Sequence, residues 1–125
     1  MVTVPQKAAE EAGLVSRVLV DPGVWDDCVR WTEADTARTG IALDEAARLA
    51  DVLYLAACAL KRDSAASSGA GRPAPLAFAL ERVPRATAGR QAQKVTLSVT
   101  AGRGPRGTVT VTITPAPAPG LGGAR

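Results

Sequence analysis

The residues best equipped for chemistry lie close together. From Gly23 to Trp31 the chain reads GVWDDCVRW, a stretch holding both tryptophans, one of the two cysteines and the adjacent aspartates Asp26 and Asp27. A thiol near a helix start is the pattern of a low-pKa nucleophile, because the helix N-terminus favours the thiolate. Here the two carboxylates oppose that role. Each disfavours another negative charge nearby and would raise the Cys28 pKa, and no cation is adjacent in sequence. The competing reading is a packing anchor. Val24, Trp25, Cys28, Trp31 and Thr32 recur at helical spacing on one broad face, and unpaired cysteine is among the most buried residue types. The anchor Trp25–Cys28–Trp31 is the favoured reading, and it predicts that both indoles are largely buried.

Other chemistries are excluded by what is missing. The chain has no histidine, which removes the commonest general base, the Ser-His-Asp and Cys-His nucleophile pairs and the commonest metal ligand. Cys28 and Cys58 are too far apart in sequence for the close ligand pairs of a zinc site. The Gly-rich AGRGPRG lacks the Lys-Ser/Thr ending and following helix of a phosphate loop. No cofactor or metal is therefore expected, and an enzyme would have to run on carboxylates, arginine, tyrosine or cysteine alone.

The basic residues form a second group. Residues 1–63 carry net −4 and residues 64–125 net +7, within an overall +3. Arg82, Arg85, Arg90 and Lys94 bracket one loop, and Arg103 and Arg106 lie in the next turn. They are candidate contacts to phosphates or to an acidic protein; the alternative is loop charge that keeps a flat sheet soluble. No aromatic residues interleave them, which argues against a base-stacking surface.

The elements that must position these groups divide at the same point as the charge. At 125 residues, 46% of them apolar, the chain fits one α+β domain over residues 1–114. Its helical half is 1–63, a mobile linker spans 64–75, a β-meander covers 76–114, and 115–125 form a disordered tail. Pro5 and Gly13 bound a short N-terminal helix, and LVSRVLV reads as an extended link. Asp21 caps a helix that opens with Pro22, and Asp26 and Arg30 pair weakly four residues apart. A second main helix runs from Asp44 to about Arg62, with Leu49, Val52, Leu53, Ala56, Ala57 and Leu60 on its apolar face. Cys58 reads as core, and Tyr54 as a buried ring with a satisfied hydroxyl, the alternative being a ring that reaches the surface or a partner.

Three strands follow. LAFALER sets Leu76, Phe78 and Leu80 on one face, KVTLSVTA sets Val95, Leu97 and Val99 inward, and TVTVTIT sets Val109, Val111 and Ile113 inward with threonines outward. The expected architecture is two main helices packed on a three-stranded antiparallel meander. The threonine face reads as a solvated β surface, with a docking face or an edge open to strand addition as the alternative. No apolar run is long enough for a membrane span. The N-terminus lacks a secretory pattern, so the expected location is the cytoplasm, with both thiols reduced.

GVWDDCVRWTEAD, DEAARLADVLYLAACAL, LERVPRA, KVTLSVTAG and VTVTITP together resemble a family of small uncharacterised proteins. That family is carried by phages, plasmids and integrative conjugative elements and is labelled a domain of unknown function. The resemblance covers roughly residues 8 to 114. Its most specific parts are W-x-x-C-V-x-W at residues 25–31 and R-V-P-R at 82–85, neither of them a catalytic motif. Family members often carry further residues before the point where this chain starts, and a shorter linker. The resemblance implies a setting among accessory genes of mobile elements, many of which act against host defences. The expected function is a non-enzymatic, protein-binding accessory protein, an inhibitor of the anti-CRISPR or anti-restriction type, whose partner is a host or mobile-element protein. The alternative is a nucleic-acid-binding accessory protein using the basic loops. A small enzyme built on Cys28 or a carboxylate ranks last.

Overall fold

The computed structural model describes residues 1–66, 75–83, 91–103 and 108–116. It opens with a two-residue strand β1 (Val2–Thr3) and helix α1 (Gln6–Glu11), closed where Gly13 adopts a positive φ of 88°. Strand β2 (Arg17–Val20) leads into α2 (Pro22–Val24). Asp21 caps α2 as the sequence predicts, its Oδ2 accepting from the backbone N–H groups of Gly23 at 2.9 Å and Val24 at 3.4 Å. A Cβ at Gly23 would lie 3.0 Å from that same oxygen, so a small residue keeps the cap tight.

The helix widens at once into a π turn (Trp25–Val29), which ends where the Arg30 N–H donates to the Trp25 carbonyl at 2.9 Å. Helix α3 (Glu33–Thr39) follows, then α4 (Glu45–Ala66). The α3 helix corrects the sequence reading. Thr32 and Asp35 form a reciprocal capping box, and Gly40 stops the helix in the left-handed region at φ 76°. Helix α4 also runs further than expected, into residues 64–66, because Ser64, Ala65 and Ala66 offer no glycine or proline to stop it. The rest of the expected linker, 67–74, lies outside the described residues, as does 117–125 of the expected tail.

Strands β3 (Leu76–Arg82), β4 (Gln93–Arg103) and β5 (Val109–Pro115) form the expected antiparallel meander. It is only part of the sheet. β2 pairs in parallel with β5, and β1 pairs antiparallel with β2, giving a five-stranded mixed sheet in the order β1-β2-β5-β4-β3. The three-stranded sheet is thus replaced by a five-stranded one, and the last four residues of LVSRVLV, Arg17–Val20, are a strand rather than a link. The reason lies in its alternation: Val18 and Val20 are both buried, so they need a paired backbone to hold one face inward. Pro115, expected at the start of a tail, still pairs with Leu97.

Through the middle of the four longer strands every second residue enters the core. Val18 and Val20, Phe78 and Leu80, Leu97 and Val99, Val111 and Ile113 are buried against Leu49, Val52, Leu53, Ala56 and Ala59 of α4 and Ala9 of α1. Val24, Cys28 and Val29 join that cluster, which fastens the π turn to the sheet. The opposite sheet face carries Thr96, Thr100, Thr110, Thr112 and Thr114, exposed or half-buried. Thr100 lies opposite Thr112, and Ser98 opposite Thr114. Threonine is at home here because its branched side chain suits the pleat while its hydroxyl meets water.

Candidate functional site

The π turn presents Asp27 and Cys28 toward the end of β3, and α4 presents Arg48 to the same place. A cleft of about 160 Å³ lies between them, lined by Cys28, Leu43, Arg48, Asp51, Leu80 and Arg82 among others. The Cys28 side chain is almost fully buried, and its Sγ lies 3.8 Å from Asp27 Oδ2. Arg82 Nε and Nη2 approach that same oxygen at 3.0 and 2.9 Å, while its Nη1 donates to the Gln93 carbonyl at 3.1 Å.

Burial is the largest influence on the thiol, since it penalises the thiolate, and the Asp27 carboxylate adds to it. Arg82 and Arg48 pull in the other direction but lose, and the Cys28 pKa is pushed up to about 11. The thiol is therefore protonated near neutral pH, the opposite of an activated nucleophile. The carboxylate effect has the sign that the GVWDDCVRW stretch predicts.

Arg48 is the residue that the sequence does not announce. It is buried on a helix, and its guanidinium caps the open end of the π turn: Nε donates to the Val29 carbonyl at 3.1 Å and Nη2 to that of Asp27 at 2.9 Å. Nη1 reaches the Val83 carbonyl at 3.4 Å, just past the end of β3. A widened turn leaves carbonyls without helical partners, and one planar cation satisfies several at once. Its only sequence signal is position: Arg48 stands four residues before Val52, at the margin of the apolar face of α4.

Arg48 also lies over the Trp31 ring, 5.0 Å from its centroid. Trp31 is buried, at 6% exposure, and its indole N–H donates to Thr36 Oγ1 at 3.1 Å and the Ile41 carbonyl at 3.2 Å. Its backbone N–H donates to Glu45 Oε2 at 2.8 Å, linking it to the first turn of α4. The shared helical face expected of Trp25, Cys28 and Trp31 does not form, because the helical backbone ends at Val29. Trp25 is half-buried against the main core, while Trp31 packs on the far side of Arg48.

Of the basic group, Arg82, Lys94 and Arg103 fall within the described residues. Arg82 is committed to Asp27 and is not a loop cation. Lys94 is exposed on β4, in register with Glu81. Arg103 ends β4 opposite Val109; Arg85, Arg90 and Arg106 lie outside the described residues. Asp26 and Arg30 form the expected exposed pair at 3.8 Å. Tyr54, expected to be buried, is 61% exposed, because α4 turns it away from the sheet, and Cys58 one turn on is half-buried.

Among the described residues no cluster of three or more His, Cys, Asp or Glu side chains could hold a metal ion, and no helix is long and apolar enough to cross a membrane. No protein-family model, curated protein or solved structure matches this chain.

Proposed function

We propose that this chain is a protein-binding accessory protein of a mobile genetic element that acts without catalysis. Its work is to block a host defence system of the CRISPR or restriction type, in the cytoplasm, by direct contact. The observation that carries this reading is the Asp27–Cys28–Arg82 cluster. The thiol is buried and protonated at neutral pH, and Arg82 is spent on Asp27. These groups join the π turn to β3; they serve the fold instead of a substrate. What faces outward suits contact: a threonine-rich sheet face and the exposed ring of Tyr54. The mobile-element setting rests on the resemblance carried by W-x-x-C-V-x-W and R-V-P-R.

The test is phage plating and plasmid establishment in host strains with and without a single defence system. The expected result is protection only where the system is present, kept by a folded Cys28→Ala variant. Protection lost in that folded variant would point to thiol chemistry, and no protection against any CRISPR or restriction system would refute the anti-defence role.

The net +7 of residues 64–125 favours a second reading, nucleic-acid binding through Arg85, Arg90, Lys94, Arg103 and Arg106. Arg82 drops out of that surface because its charge is already neutralised by Asp27.

A further inference from the structure

Helix α4 has a second face that the core touches only through Ala57. Ala47, Ala50, Tyr54 and Lys61 are exposed along it, and Ala57 is half-buried. Their spacing alternates three and four residues, the seam spacing of paired helices. Tyr54 stands at the middle of this seam. Two grooves flank it where α4 meets α1 and the turn after it: one of about 320 Å³ reaching Ala57, Cys58 and Lys61, and one of about 420 Å³ reaching Ala8, Ala50 and Asp51.

We propose that this face, centred on Tyr54, is the contact between two copies of the chain, which pair their α4 helices antiparallel. Charge singles out a second copy as the occupant. The N-terminal half of α4 carries Glu45 and Asp51, just after Asp44, against the buried Arg48, and the C-terminal part carries Lys61 and Arg62 against Asp63, so the two ends are net −2 and net +1. Glu45 is held by the Trp31 N–H, while Asp44, Asp51, Lys61 and Arg62 are exposed. Antiparallel pairing sets the acidic half of each helix against the basic part of the other, at both ends of the contact. Parallel pairing would set like charge against like. A two-fold contact needs one self-complementary surface, and a helix polarised along its length supplies it. The alanines let the helices approach closely, and each Tyr54 gains apolar cover in a groove beside α1 of the other copy. One helix face per copy is a small interface, so the association is reversible and dependent on concentration. This inference stands apart from the proposed function, because a dimer is compatible with either kind of partner.

Sedimentation equilibrium of the full chain at low salt tests it. The expected result is a monomer–dimer equilibrium that Tyr54→Asp weakens by about tenfold or more, the size of effect that a central aromatic contact carries. Asp51→Lys alone, and Lys61→Glu with Arg62→Glu, should each weaken it as well. Mixing those two variants should restore dimers, since the lysine introduced at position 51 then faces the carboxylates introduced at 61 and 62, and the native Lys61 and Arg62 face the native Asp51. All these positions are exposed, and unchanged melting temperatures would show that the variants fold. A chain that stays monomeric at every concentration overturns the proposal. So does a dimer indifferent to Tyr54→Asp, or a monomer that uses Tyr54 to bind a different protein.

Discussion

Arg82 and Asp27 meet across 55 residues of sequence, two guanidinium nitrogens converging on one carboxylate oxygen at 3.0 and 2.9 Å. The pair ties the end of edge strand β3 to the π turn. Its side chains are 15% and 35% exposed, so water screens it in part. A double-mutant cycle of Asp27→Asn and Arg82→Gln is expected to give a coupling of about 1–2 kcal/mol. Urea denaturation of the two single variants and the double measures it, and simple additivity would mean that the contact contributes nothing.

Arg48 should be less dispensable than Arg82. Arg48→Ala leaves the carbonyls of Asp27 and Val29 without their buried donor and is expected to cost about 3–5 kcal/mol. Arg48→Lys should recover only part of this, since a single ammonium does not reproduce the planar fork. Thermal melts of both variants decide the matter; equal stability of the lysine variant and wild type would remove the geometric argument.

The two tryptophans are expected to behave differently. Trp31→Ala should cost about 3–5 kcal/mol, the usual range for a buried aromatic, and Trp25→Ala visibly less. Acrylamide quenching checks the same contrast without truncation. In Trp25→Phe the remaining indole should be well shielded, and in Trp31→Phe it should be quenched more readily. The reverse order would contradict the packing of Trp31 beneath Arg48.

Cys28 gives the protein an alkaline limit. Its pKa rises from 9.0 to about 11 on folding, so the folded state holds the thiol proton more tightly than the unfolded chain does. The resulting stabilisation is complete below about pH 9 and is lost as pH rises through about 11, a decline on the order of 2–3 kcal/mol. Comparing wild type with Cys28→Ala across that window isolates it. Iodoacetamide at mildly alkaline pH should label Cys58 well before Cys28, and rapid labelling of Cys28 at neutral pH would restore the nucleophile reading.

Nucleic-acid binding has its own signature. About four phosphate contacts would give a log–log salt slope near −3 to −4 on duplex DNA. Changing Arg85, Arg90, Arg103 and Arg106 together to Gln should then abolish that slope, whereas Arg82→Gln should lower stability and leave the slope alone. The expected outcome is weak, sequence-independent binding. A sub-micromolar, sequence-selective complex at physiological salt would rank this reading first.

Local signals were legible in the sequence and distant ones were not. The Asp21 cap, the apolar face of α4 and the alternation of β3, β4 and β5 each depend on residues a few positions apart, and each forms as read. Helix α3 was also written locally, in Thr32, Asp35 and Gly40, but its small and charged residues give no apolar stripe to draw attention. Strand β2 is different. It has four residues, and its parallel partner is β5, so no turn joins the two and none could mark the pairing. Arg48 was hidden for a related reason: its partners are carbonyls, which no sequence pattern displays. In the cluster around Cys28, the effect of Asp27 on the thiol could be read from adjacency, but the arrival of Arg82 depended on the sheet.

The parallel pairing of β2 with β5 also sets the order in which the molecule can be completed during synthesis. Arg17 pairs with Thr110 and Val20 with Ile113, so the early strand finds its main neighbour only after translation has passed the meander. Until then the one strand available to pair with β2 is two-residue β1, too short to hold it. α4 and β3 can meet while the ribosome is still at work, but the N-terminal edge must wait. A transcript truncated before residue 110 would therefore release a chain with an open apolar strand at its beginning, a target for proteolysis distant from the site of the truncation itself.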